Sequence, residues 1–288
     1  MKTAVVGLGV MGGAVAQRLV DTGFETLVYD IDQHAVARLV AKGASACTLD
    51  GAGDAEVIVT SLPNDQIITT VVLDSGVLKH WSGSVLIEMS TTLPATVRAI
   101  AEAAASDRVA VVDSPVSGGP GEALAGKLVE LVGADAESLA RARPVLDALG
   151  TVEHVGAVGD GKIVKLLNNL MAMGNIVVAA EAFTLGQKLG LDRHELFDVL
   201  SRSGGRSFHF LKRFPYALAD DYTARFAVSL GEKDIRLGLE LAHDADYVMP
   251  TASIVHQIFE MARAKGIGNE DVVAVLKVYQ DWANLPQT

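Results

Sequence analysis

The chain has 288 residues, half of them apolar and 20% charged, which suits a soluble protein of two domains better than one core. A net charge of −11 argues against an extended basic surface, so no nucleic-acid partner is expected. The single cysteine, Cys47, excludes an intramolecular disulfide and fits a reducing compartment, and seven scattered histidines without paired ligand spacing predict no metal site.

The chain starts almost directly with the strand-like run 3–6, so no secretory signal is expected and the reading is cytoplasmic. That run ends at Gly7-Leu8-Gly9-Val10-Met11-Gly12, and Met11, Ala14, Val15 and Leu19 then follow a helical period up to Gly23. A second strand candidate, 25–29, ends in Asp30. Strand, glycine turn, helix, strand and acid together predict a dinucleotide site. Gly7 permits the tight turn, Gly9 lets the backbone approach a pyrophosphate, and Gly12 allows helix and strand to pack closely. Free N–H groups at the helix start bind the phosphates, and Asp30 accepts from the adenosine ribose hydroxyls, which favours NAD over NADP. An ordinary α/β turn is the bland alternative.

Further strand candidates at 57–59, 85–87 and 109–112 alternate with helical segments, which predicts a parallel doubly wound sheet. Ligands of such sheets sit beyond the carboxyl ends of the strands, where Leu62, Pro63, Thr91 and Ser117 fall. Ser117-Gly118-Gly119-Pro120-Gly121 exposes successive N–H groups beside a hydroxyl, a possible nest for a carboxylate or phosphate or else a plain flexible connection. Strand candidates 127–132 and 152–155 close this half. Past residue 160 the pattern turns helical, with segments 162–189, 192–203, 228–245, 251–265 and 270–284. The domains are therefore placed at 1–160, a dinucleotide-binding Rossmann-like α/β domain, and 161–288, an all-α domain for substrate and oligomerisation.

Gly159-Asp160-Gly161-Lys162 opens the first of these helices, and Lys165, Asn168 and Asn169 project from one face at i, i+3 and i+4. Residues 166–180 are uncharged and apolar on every side, which reads as a helix enclosed by protein. The same segment is read as too short and too rich in asparagine to span a membrane. A lone lysine there suits acid/base chemistry, because burial brings an ammonium toward neutrality. The alternative is a lysine paired with a carboxylate or reaching out past the helix end. Lys233-Asp234 reads from spacing alone as a solvated helix end.

Taken together, the motifs at 7–12, 113–119, 159–169 and 226–234 resemble the β-hydroxyacid dehydrogenase family, whose members include 3-hydroxyisobutyrate and tartronate semialdehyde enzymes. The resemblance spans almost the whole chain. It implies that Ser117, Gly118 and Gly119 bind a substrate carboxylate, that Lys165 is the catalytic acid/base and that Asn169 helps hold the substrate. It implies that Leu62, Pro63, Thr91 and Lys233 line the cofactor site, and that the protein is a homodimer or homotetramer. The related 6-phosphogluconate branch has His and Glu three and seven residues after the lysine, where this chain has Asn168 and Ala172. Glu122 stands where relatives tend to have alanine, an unexpected carboxylate beside an anion nest. The expected activity is hydride transfer between NAD and a small 3-hydroxy acid. An NADPH-dependent semialdehyde or imine reductase is one alternative, and a non-catalytic dinucleotide-binding or oligomerisation module is another.

Overall fold

Short apolar runs bounded by turn residues form the strands of the first half, and longer runs of helical period form its helices. The computed structural model describes residues 1–285. The order begins β1 (Lys2–Val6), α1 (Val10–Asp21), β2 (Glu25–Tyr29), α2 (Gln33–Val40) and β3 (Ser45–Ala46). It continues β4 (Val57–Thr60), α3 (Asp65–Ile68), β5 (Val85–Glu88), α4 (Pro94–Ser106) and β6 (Ala110–Asp113). Then come β7 (Val116–Ser117), α5 (Pro120–Ala125), β8 (Leu128–Gly133), α6 (Ala136–Leu149) and β9 (Gly150–Gly156). Helices follow: α7 (Asp160–Lys188), α8 (Arg193–Ser201), α9 (Phe208–Leu218), α10 (Val228–Asp244), α11 (Pro250–Ala264) and α12 (Leu276–Trp282).

Two compact units divide the chain, Met1–Lys165 and the residues from Leu166 on, so the division falls inside α7. In the first unit the strand order is β3-β2-β1-β4-β5-β6-β8-β7, with β9 beside β8. Its first six strands are the doubly wound order, which reverses between β1 and β4. Those six pair in parallel, as expected. β8, however, runs antiparallel to β6 and β7 before pairing in parallel with β9, so the sheet is mixed. The connection 118–127 is shorter than the dozen or so residues a parallel crossover needs, and the chain returns antiparallel instead.

Side chains alternate across this sheet and bury both faces. Val5, Val59, Val85 and Ile87 join Val15 and Leu19 on one side, while Val6, Ile58 and Leu86 join Trp81 and Ile100 on the other. In the second unit, Met173, Ile176, Ala180 and Phe183 of α7 form the core with Phe210, Phe214 and Phe259. α9 is absent from the sequence reading because Pro215 interrupts its pattern; Ser207 caps its start by accepting the Phe210 N–H at 3.1 Å.

α7 is not enclosed all round. Leu167, Met171, Val178 and Leu185 are 47%, 70%, 61% and 59% exposed and share one face. At 29 residues, with a mean hydropathy of 1.5 over its most apolar window, α7 does reach the length and composition of a membrane span, contrary to expectation. Its opposite face is committed to the protein core.

Candidate functional site

The turn after β1 shows why glycine is required there. Gly7 has φ +91°, and a Cβ on it would strike the Ser61 carbonyl oxygen. A Cβ on Gly12 would strike the Gly7 carbonyl oxygen, whereas one on Gly9 meets nothing within 4 Å. The loop is therefore tight behind and open in front, at the start of α1, where N–H groups suit a pyrophosphate. Leu8, Val10 and Met11 complete the turn, with Val10 exposed and opening the helix. Asp30, just past β2, accepts from the Leu8 N–H at 2.5 Å and from the Asp32 N–H at 2.8 Å. A carboxylate has about four acceptor positions, so lone pairs are left for vicinal hydroxyls. These residues fit a dinucleotide.

Two neighbouring loops are tied together. The Leu62 N–H donates to Ser90 Oγ at 2.9 Å, and Asp65 Oδ1 accepts from the Leu93 N–H at 2.8 Å and from Thr96 Oγ1 at 2.6 Å. Pro63 is exposed and Thr91 half-buried at these strand ends. Further along, Ser117 ends β7 and Gly118 has φ +127°. The Gly119 N–H donates to Glu122 Oε2 at 2.8 Å, as the third residue of α5 reaches back to cap its own helix. A ligand anion at this turn has to compete with Glu122 for that N–H.

On α7, Lys165 is half-buried and Asn169 is buried. Asn169 Nδ2 donates to Asp234 Oδ2 at 2.6 Å, and Asn168 Nδ2 donates to Asn169 Oδ1 at 3.0 Å. Lys233 Nζ lies 3.1 Å from Asp234 Oδ1. Asp234 is 2% exposed, so Lys233-Asp234 is no solvated helix end. Both lie in the second turn of α10, and the pairing with Asn169 draws the carboxylate inward.

The chain matches the model of the NAD binding domain of 6-phosphogluconate dehydrogenase over residues 2–159. It also matches that of the NAD-binding part of NADP-dependent 3-hydroxyisobutyrate dehydrogenase over residues 159–279. It belongs to the 3-hydroxyisobutyrate dehydrogenase family of NAD(P)-dependent hydroxyacid dehydrogenases. Among its family relatives, the 2-(hydroxymethyl)glutarate dehydrogenase of Eubacterium barkeri is 37% identical, covering 97% of this chain and 95% of that protein. The 3-hydroxyisobutyrate dehydrogenase of Pseudomonas aeruginosa is 35% identical over 96% and 98%. A crystal structure of 3-hydroxyisobutyrate dehydrogenase from Salmonella typhimurium superposes with a TM-score of 0.88 at 31% identity, covering 96% of this chain and 99% of that one.

This dehydrogenase also holds groups that the sequence reading passed over. Lys162, one turn before Lys165, is fully buried, with Nζ 2.7 Å from Glu88 Oε2 and 2.8 Å from Asp113 Oδ1. Burial alone would lower its pKa, but the charges of Asp113 and Glu88 outweigh it and hold the ammonium above its ordinary range. The signal was available: a lysine three residues upstream on the same helix, and an acid ending each of two apolar strand runs. Burial pushes the Glu130 carboxyl up to about 8. The Cys47 thiol is pushed up to about 11 by burial and by Asp54, so Cys47 makes a poor nucleophile. Among the described residues, Glu232, His256 and Glu260 form a group with metal-ligand spacing. Arg263 Nη1 already bridges Glu232 at 3.1 Å and Glu260 at 2.8 Å.

Proposed function

We propose that this dehydrogenase exchanges a hydride between NAD and a small 3-hydroxy acid, with Lys165 as acid/base. One observation carries the reading: of the two lysines in the first turns of α7, Lys162 is fixed as a buried cation. Lys165, three residues on and half-buried, is the lysine of this segment to which the reading gives the proton transfer. In oxidation, neutral Lys165 Nζ takes the proton of the substrate hydroxyl; in reduction, its ammonium returns it. Ser117, Gly118, Gly119 and Asn169 hold the substrate, Asn169 with its amide oriented by Asp234.

When bound, the nicotinamide accepts or supplies the hydride. The 7–12 turn would hold its pyrophosphate and Asp30 its ribose, with Leu62, Pro63, Thr91 and Lys233 lining the rest. The choice of NAD is supported by Asp30-Ile31-Asp32-Gln33, a stretch with two acids and no basic residue just past β2. The exposed stripe on α7 supports a homodimer, or a tetramer built from it, because the same face on a second copy would cover it. A cytoplasmic setting fits the single cysteine.

The test is a matrix of initial rates, with NAD and NADP each against 3-hydroxyisobutyrate, glycerate, serine and 4-hydroxybutyrate, repeated with Lys165→Ala. One strong NAD-dependent acid is expected, and its kcat should fall roughly 10²–10⁴-fold in the variant while NAD still binds. Near-normal turnover by the variant would overturn the lysine's role. Silence across the matrix with NAD bound would overturn the carboxylate loop.

A further inference from the structure

Lys162, Glu88 and Asp113 come from three elements and meet with side chains no more than 1% exposed. Glu88 ends β5, Asp113 ends β6, and the two are direct partners in the parallel ladder. Lys162 Nζ reaches both carboxylates and the Glu88 carbonyl oxygen, the last at 2.9 Å. An ammonium has three donors, and these contacts use all three. The carboxylates are tied in turn. Asp113 Oδ2 accepts from the Gly159 and Lys162 N–H groups at 3.0 and 3.1 Å, and Glu88 Oε1 accepts from the Ser90 N–H at 2.9 Å. Asp113 thus binds the first turn of α7 twice, through its main chain and through a side chain, at the helix end that favours negative charge.

Such a group is a poor investment for stability alone, since buried ion pairs are often matched by apolar residues of the same volume. Its yield is geometry. It fixes the height and rotation of α7 at residue 162, and Lys165 follows less than one turn later on the same face. Lys162 has no donor left for a ligand and acts only through the helix.

Resting on the reading that Lys165 is the acid/base, we infer that Lys162, Glu88 and Asp113 are positioning residues that set where Lys165 Nζ lies against the substrate hydroxyl. The rival is that the group only holds the fold together.

Asp113→Asn and Glu88→Gln each remove one charge at nearly constant volume. Each is made alone and in a Lys165→Ala background, and kcat, KM, NAD affinity and Tm are measured. Misplacing a catalytic group by about 1 Å costs on the order of 10²-fold. The expected result is therefore a drop in kcat of that order, with KM and NAD affinity within about twofold. In the Lys165→Ala background the same substitutions should lower kcat no further, because the group they position is gone. Equal losses in both backgrounds would make the triad merely structural and overturn the inference. Full kcat in both single variants, with Lys165→Ala inactive, would also overturn it. If Lys165→Ala itself turns over normally, the acid/base reading fails first. Glu88→Gln leaves Asp113 to cap α7 and serves if Asp113→Asn does not fold.

Discussion

Glu130 stands in the middle of β8, wholly buried, with Ser114 Oγ donating to its Oε2 at 3.0 Å. Burial pushes its carboxyl from 4.5 up to about 8, so the native protein holds a proton that the unfolded chain releases. The folded value lies above the unfolded one, so this contribution is whole below pH 4.5 and is lost as pH rises toward 8. Glu130→Gln removes the titration. Urea unfolding from pH 5 to 9 should show the variant gaining on the parent as pH rises, by roughly 3–5 kcal/mol above pH 8. Parallel stability curves would refute it. The same residue shows what a sequence hides. The shared helix face of Lys165 and Asn169, and the place of Asp30 just past a strand, were legible because spacing along one element suffices for them. Glu130, Lys162 and Asp234 were not, because each takes its meaning from partners on other elements.

At the scale of elements, the start of α7 is closely hemmed in. A Cβ on Gly161 would strike the Leu131 carbonyl oxygen and lie 2.9 Å from Asp113 Oδ2. Alanine is the better helix former, yet Gly161→Ala should cost about 1–3 kcal/mol because backbone on the neighbouring strand cannot yield. A Tm equal to or above the parent's would show that the helix start can shift after all. The helices α7, α8, α10 and α11 were read nearly to their ends, since period and length agree in them. The two-residue strands β3 and β7 were invisible: pairing with a neighbour makes them strands, not their own composition. α9 was missed through Pro215, whose helix is held by Phe210 and Phe214 in the aromatic cluster with Phe183.

For the whole molecule, α7 presents an exposed apolar stripe on which the proposed assembly rests. Val178 lies on the exposed stripe between Met171 and Leu185, at intervals of seven residues. Val178→Glu places a charge where a second copy's apolar face would lie, at little cost to the separate chain. On the proposed assembly, light scattering should then report a monomer where the parent gives a dimer or larger; an unchanged mass would overturn that role for the stripe. Here the sequence misled in an instructive way. An apolar helix face left exposed by the chain has the composition of one turned toward a core, and composition cannot say which.

The two main-chain bonds at Asp30 bear on redesign. The carboxylate that would read the ribose also grips Leu8, in the middle of the phosphate turn. Replacing it to admit a phosphate would loosen that turn in the same stroke, trading affinity for selectivity. Ile31, 89% exposed, has no such second duty. An arginine introduced there is the cheaper first move toward admitting a 2′-phosphate.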